Sequence, residues 1–113
     1  MILDIGEKVH IIERRYFSDD LRRHFIGEVV KCTENAIRVG GYAWIFDQVK
    51  FEFVRKSGFR ERVFYPGDRL IINIIPSEVD LEKIKYTLLS DKGLVVTDGK
   101  NFVLAINEFS AIR

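Results

Sequence analysis

Apolar and polar positions alternate along most of this chain in short runs, and the runs stop at glycine, asparagine, aspartate or proline. A period of two puts successive side chains on opposite faces, so these runs predict β-strands. Lys8 to Glu13 is the first. Phe25 to Cys32 is the second, with Phe25, Gly27, Val29 and Lys31 on one face and Ile26, Glu28, Val30 and Cys32 on the other. Glu34-Asn35 predicts a tight turn, and Ala36 to Phe46 reads as one long, strongly bent strand. Gly40-Gly41 interrupts it, and adjacent glycines inside a strand predict a bulge or a sharp bend. Phe51 to Arg55 and Arg60 to Tyr65 follow, separated by Ser57-Gly58. In Pro66-Gly67-Asp68 the proline presets one backbone angle of a turn. Leu70 to Ile75 is apolar on both faces except at Asn73, which predicts a central, buried strand ended by Pro76.

Helical signals are brief. Ser18 to His24 predicts about two turns, with Ser18 as cap and Asp19-Asp20 suited to a helix N-terminus. Ser77 is placed to cap one turn over Glu78 to Glu82. Beyond it, Ile84 to Leu89, Leu94 to Thr97 and Phe102 to Ile106 form three β runs. Asp91-Lys92-Gly93 and Asp98-Gly99 separate them, so a three-stranded meander is expected. The fold class is therefore mostly β. It is expected as a single domain over residues 1–113, with a core at 8–76 and a C-terminal β extension at 77–113.

Composition sharpens this. With 113 residues, 47% hydrophobic and nine of them Phe, the chain has enough apolar mass for a core without a metal or disulfide. Eighteen Lys+Arg against 17 Asp+Glu leave a net charge of +1, so any affinity for a polyanion must come from a local patch. Cys32 is the only cysteine, which suits a reducing compartment, and the expected location is cytoplasmic. The N-terminus lacks the basic and apolar regions of a signal peptide, and no apolar run approaches the ~20 residues that span a bilayer. No membrane partner is expected.

Two segments carry a resemblance. His24-Phe25-Ile26-Gly27-Glu28-Val29 is similar to an aromatic-x-Gly-x-aliphatic second strand, and Tyr65-Pro66-Gly67-Asp68-Arg69-Leu70-Ile71 to a Gly-Asp turn entering a last strand. In this order and spacing they resemble the Sm-like (LSm) family. The resemblance covers residues 8–76 and implies a small, strongly bent, five-stranded SH3-like barrel that forms rings by edge pairing and contacts RNA. The family's RNA-contacting turn carries an Asp, an apolar residue and an Asn. Here it is shortened to Thr33-Glu34-Asn35, in which Asn35 is the remnant. Ser18 to Arg23 is an insertion, and the tail meander is an addition.

Arg14-Arg15 and Arg22-Arg23 flank the first loop, with Tyr16 and Phe17 between them, and basic residues interleaved with aromatics suit phosphates and stacked bases. The plainer alternative is a loop kept soluble by its charges, partly offset by Asp19-Asp20. Lys50 to Arg69 holds six basic and three acidic residues and reads as the solvated face of a hairpin, with Arg60 and Arg62 on one side. Tyr42, Trp44 and Phe46 share a strand face, as core or as an oligomer interface. His10, His24 and Cys32 are scattered without ligand spacing, so neither metal nor cofactor is expected. No catalytic motif is present. The expected function is a non-enzymatic binding or assembly module that self-associates. RNA binding is one alternative, and a small enzyme without a recognisable motif is another.

Overall fold

The computed structural model describes residues 2–17, 19 and 21–106. The chain is mostly β and divides into two compact units, Met1–Ser77 and Glu78–Arg113. No helix among the described residues is long and apolar enough to cross a membrane.

Unit 1 holds β1 (Lys8–Glu13), β2 (Arg23–Cys32), β3 (Ile37–Asp47), β4 (Glu52–Arg55), β5 (Arg60–Phe64) and β6 (Leu70–Ile75). All its ladders are antiparallel, in the order β4-β3-β2-β1-β6, with β5 also on β3. The resemblance implies five strands, but the partner of β3 arrives in two pieces. β5 pairs with Ile37–Gly41, and β4 pairs with Trp44–Asp47. Lys56 still donates to the Ala43 carbonyl at 2.8 Å, after which the chain swings out through Ser57-Gly58 before rejoining β3 opposite Gly41.

One sheet face carries the main core: Val9, Ile11, Phe25, Val29, Ile37, Val39, Ala43 and Phe64, with Leu3 packed in. Strand alternation puts Glu13 and Arg62 on this face as well. Their side chains meet at 3.8 Å, and the Arg62 guanidinium sits 5.4 Å from the Phe25 ring centroid. In a flat sheet β5 and β1 would stand about 14 Å apart. Their contact, and that of Phe64 with Phe25 at 5.4 Å, shows a strongly curled sheet. Arg62 is therefore half-buried at the end of the core, a correction to its expected place on a solvated hairpin face. Glu13 Oε2 is buried there without a hydrogen-bond partner, so Arg62 offsets its charge.

Three further expectations change. The register shift lies between Val29 and Lys31 of β2, not at the double glycine, and it breaks the alternation that put Lys31 with Phe25. Gly27 stands directly opposite Gly41 in an unbroken stretch, and the glycines serve close approach. A Cβ on Gly41 would overlap the Ile26 carbonyl, and one on Gly27 would overlap the Gly40 carbonyl. β6 is an edge strand rather than a central one: among the described residues it pairs only with β1, and Ile71 and Ile74 are 39% and 50% exposed. The helix expected over Ser18 to His24 rests on Ser18 and Asp20, which lie outside the described residues. Its other end is strand, since Arg23 and His24 begin β2.

Unit 2 is the expected meander: β7 (Lys85–Leu89), β8 (Gly93–Thr97) and β9 (Val103–Ala105), antiparallel in that order. Its helical turn is a short 3-10 segment, Leu81–Lys83. Asp80 caps it rather than Ser77, its side chain accepting the Glu82 N–H. Asp98 closes the β8–β9 turn by accepting the backbone N–H of Lys100 at 2.8 Å and of Phe102 at 3.1 Å. The Lys100 bond is the main reason its carboxyl is held below the usual carboxylate range.

Candidate functional site

The β1–β2 register pairs Glu13 with Arg23, and the β1–β6 register pairs Glu13 with Leu70. The end of β1 and the starts of β2 and β6 therefore lie at one end of the sheet. This brings Arg14-Arg15, Arg22-Arg23 and Arg69 together from three separate stretches of sequence. Two adjoining hollows, of about 220 and about 320 Å³, share Glu13, Arg14, Arg15 and Arg23 as lining. Leu21 and Arg69 complete the first, and Ile12, Arg22 and His24 the second.

Two of the arginines are held by bonds to backbone carbonyls, and Glu13 sets one carboxylate among the five guanidinium groups. Arg14 donates to the Asp68 carbonyl at 2.9 Å, and Arg69 donates back to the Arg14 carbonyl at 2.6 Å. The Arg69 guanidinium also covers the Tyr16 ring, and that of Arg22 lies 5.2 Å from the Phe46 ring centroid. Tyr16 and Phe17 are both largely exposed beside the arginines. The four arginines expected from the sequence thus converge. Arg69, which belonged to a different charge run, joins them through the β1–β6 pairing.

Asn35 does not join them. It lies in the β2–β3 turn, and β2 carries it away from Arg23 by roughly 30 Å at the usual rise per residue. There Thr33 Oγ1 accepts its backbone N–H at 3.3 Å. Tyr42, Trp44 and Phe46 lie on the second sheet face and are half-buried. Tyr42 meets Phe59 edge-on at 5.8 Å and lies under Arg55 at 4.3 Å, while Phe46 packs on Phe51 and Phe53.

The same face holds a polar chain that linear spacing hid. His10 and His24 are 14 residues apart but are diagonal neighbours across β1 and β2, His10 being opposite Ile26 and Ile12 opposite His24. His10 Nε2 and His24 Nδ1 are 3.1 Å apart, and Asn73 Nδ2 is 3.1 Å from His10 Nδ1. An amide N–H donating to His10 Nδ1 puts the His10 proton on Nε2, which donates to His24 Nδ1 and leaves the His24 proton on Nε2. Burial lowers His10 to a pKa of about 4. Burial, then His10, then Arg22 lower His24 to about 3. Both rings are therefore neutral at neutral pH, and His24 forms a neutral part of the cleft lining. A pairing register drawn from the Lys8 to Glu13 and Phe25 to Cys32 patterns would have been the signal for this contact.

Among the described residues no three His, Cys, Asp or Glu side chains gather as a metal site. Cys32 is half-buried, its thiol 3.4 Å from the Leu3 carbonyl. Comparison with protein-family models, with curated proteins and with solved structures finds no match.

Proposed function

We propose that this chain is a non-enzymatic binding module that holds a phosphate-bearing polymer, RNA in the first instance, against the arginine-lined end of unit 1. The convergence of Arg14, Arg15, Arg22, Arg23 and Arg69 on one cleft beside exposed Tyr16 and Phe17 carries this reading. Guanidinium groups give paired donors to phosphate oxygens, and aromatic faces accept bases without strict sequence choice. The Sm-like resemblance belongs to the same proposal, but support for RNA comes from the arginine end and not from Asn35.

Fluorescence anisotropy with a labelled single-stranded RNA of about 15 nucleotides tests it. Affinity is expected to fall with salt with a log–log slope of about −3, as for four or five released counterions. The double variant Arg22→Glu/Arg23→Glu is expected to weaken binding at least about tenfold and to flatten that slope by about 1. Absence of binding at low salt would remove the reading.

Self-association is a second reading, favoured by one observation. Leu70–Ile75 is an edge strand with no charged residue, and natural edges usually carry charge, proline or a cover. Light scattering at micromolar concentration is expected to give a dimer or ring, and Ile74→Lys to shift it toward monomer. A wild-type monomer would exclude it.

A further inference from the structure

The turn between β3 and β4 places an aromatic side chain where a turn normally places glycine or asparagine. Asp47 Oδ1 accepts the backbone N–H of Val49 at 2.9 Å and of Lys50 at 3.2 Å, which fixes the turn. The next residue, Phe51, has φ 57°, the one positive φ at a non-glycine among the described residues. An aromatic residue is disfavoured in this left-handed region. Burial does not compensate for it, because Phe51 is 80% exposed.

What holds the ring is aromatic. Phe51 stands edge-on to Phe46, centroids 5.3 Å apart, and Phe46 in turn packs on Phe53 at 5.3 Å and lies beneath Arg22. The ladder pairs Ile45 with Arg23, and Phe46 N–H bonds the Arg22 carbonyl at 3.1 Å, so the turn is tied to the arginine end. A strained, exposed and buttressed ring therefore stands beside a cationic cleft. Such strain persists where the surroundings impose it, and it concentrates at binding sites.

We infer that Phe51 is a stacking platform for an unpaired base and that the ligand of the arginine end is single-stranded; this rests on the reading of that end as a nucleic-acid interface. A duplex buries its base faces and offers Phe51 nothing to stack on, whereas a single strand presents bases and phosphates together. Phosphates engage the arginines, and one base covers Phe51.

The experiment compares three probes of equal length at low salt: a single strand carrying 2-aminopurine, the same backbone without bases, and a duplex. Wild-type protein is expected to prefer the base-bearing strand over the abasic one by about tenfold and to quench 2-aminopurine fluorescence. Phe51→Gly relieves the backbone strain, so it is expected to melt no lower than wild type. It is expected to reduce the preference and the quenching to what Tyr16 and Phe17 supply while keeping its affinity for the abasic strand. Phe51→Trp is expected to keep all three. Equal binding of base-bearing and abasic strands by wild type would overturn the platform and leave the arginine reading standing. No binding of any probe would overturn both. Phe51-dependent binding to phosphatidylserine vesicles, with no affinity for the strands, would make this a lipid-facing surface and overturn both as well.

Discussion

Gly41→Ala is expected to leave unit 1 unfolded or barely folded at room temperature. The added methyl would overlap the Ile26 carbonyl and crowd the Gly27 backbone, neither of which is the end of a flexible side chain. β2 and β3 would have to part at the centre of the sheet, where Gly27 faces Gly41. Overpacking between side chains costs about 1–3 kcal/mol because side chains re-orient. Here backbone must move, and the loss is expected to reach or exceed about 4 kcal/mol, a large part of a small domain's stability. Gly67→Ala is the control: nothing lies within 4 Å of its Cβ position. It is expected to stay within about 0.5 kcal/mol of wild type. Urea titration followed by the fluorescence of Trp44 reads both variants, and a Gly41→Ala curve matching that of Gly67→Ala would sink the argument.

That pair of glycines shows what the sequence reveals of this fold and where it falls silent. Period-two alternation marks strands because one face of each is buried, and Lys8–Glu13 and Leu70–Ile75 form as expected. Alternation does not say which strands are neighbours. Leu70–Ile75 looked central because both its faces are apolar, yet it lies at an edge. Asn73, its one polar interruption, is the residue that bonds His10. Gly40-Gly41 signalled something unusual, but a bulge and a close approach ask for the same residue type. The choice between them depended on Gly27 across the ladder.

The candidate site was legible to the extent that its parts are local. Arg14-Arg15 and Arg22-Arg23 flank one loop and meet because β1 and β2 form a hairpin. Arg69 and Phe51 belong to other turns, and pairing along β1–β6 and β2–β3 brings them to the same end. Asn35 failed for the converse reason: one strand length separates two loops that sit at opposite ends of a sheet. Ligand spacing does not reveal the histidine pair, since cross-strand neighbours have no fixed sequence separation.

The second large effect is acid sensitivity set by those histidines. In the unfolded chain each has the ordinary pKa of 6.5, and in the folded chain they lie near 4 and 3. The folded state therefore binds fewer protons between these limits, and stability falls as pH falls. Above pH 6.5 both states hold neutral rings and the pair adds no pH dependence. Below it, each histidine steepens the loss by up to about 1 kcal/mol per pH unit, and the two together by roughly 2–3 kcal/mol per pH unit between roughly pH 6 and 4. The penalty levels off once the folded-state values are passed. Geometry gives the same direction. A second proton on His24 Nδ1 would point at the His10 N–H, and one on His10 Nδ1 would point at the Asn73 amide. Asp98 acts in a lower window, because its depressed value costs stability only as pH falls below the ordinary carboxylate range. Urea unfolding at pH 7.0, 6.0, 5.0 and 4.5 is expected to show stability lost by several kcal/mol across the series. The variant His10→Gln/His24→Gln is expected to be less stable at pH 7, where it loses the fitted chain. It should show a shallower slope, so that its curve approaches that of wild type toward pH 4.5. Parallel slopes for the two proteins would show that the buried pair does not set the acid limit of this domain.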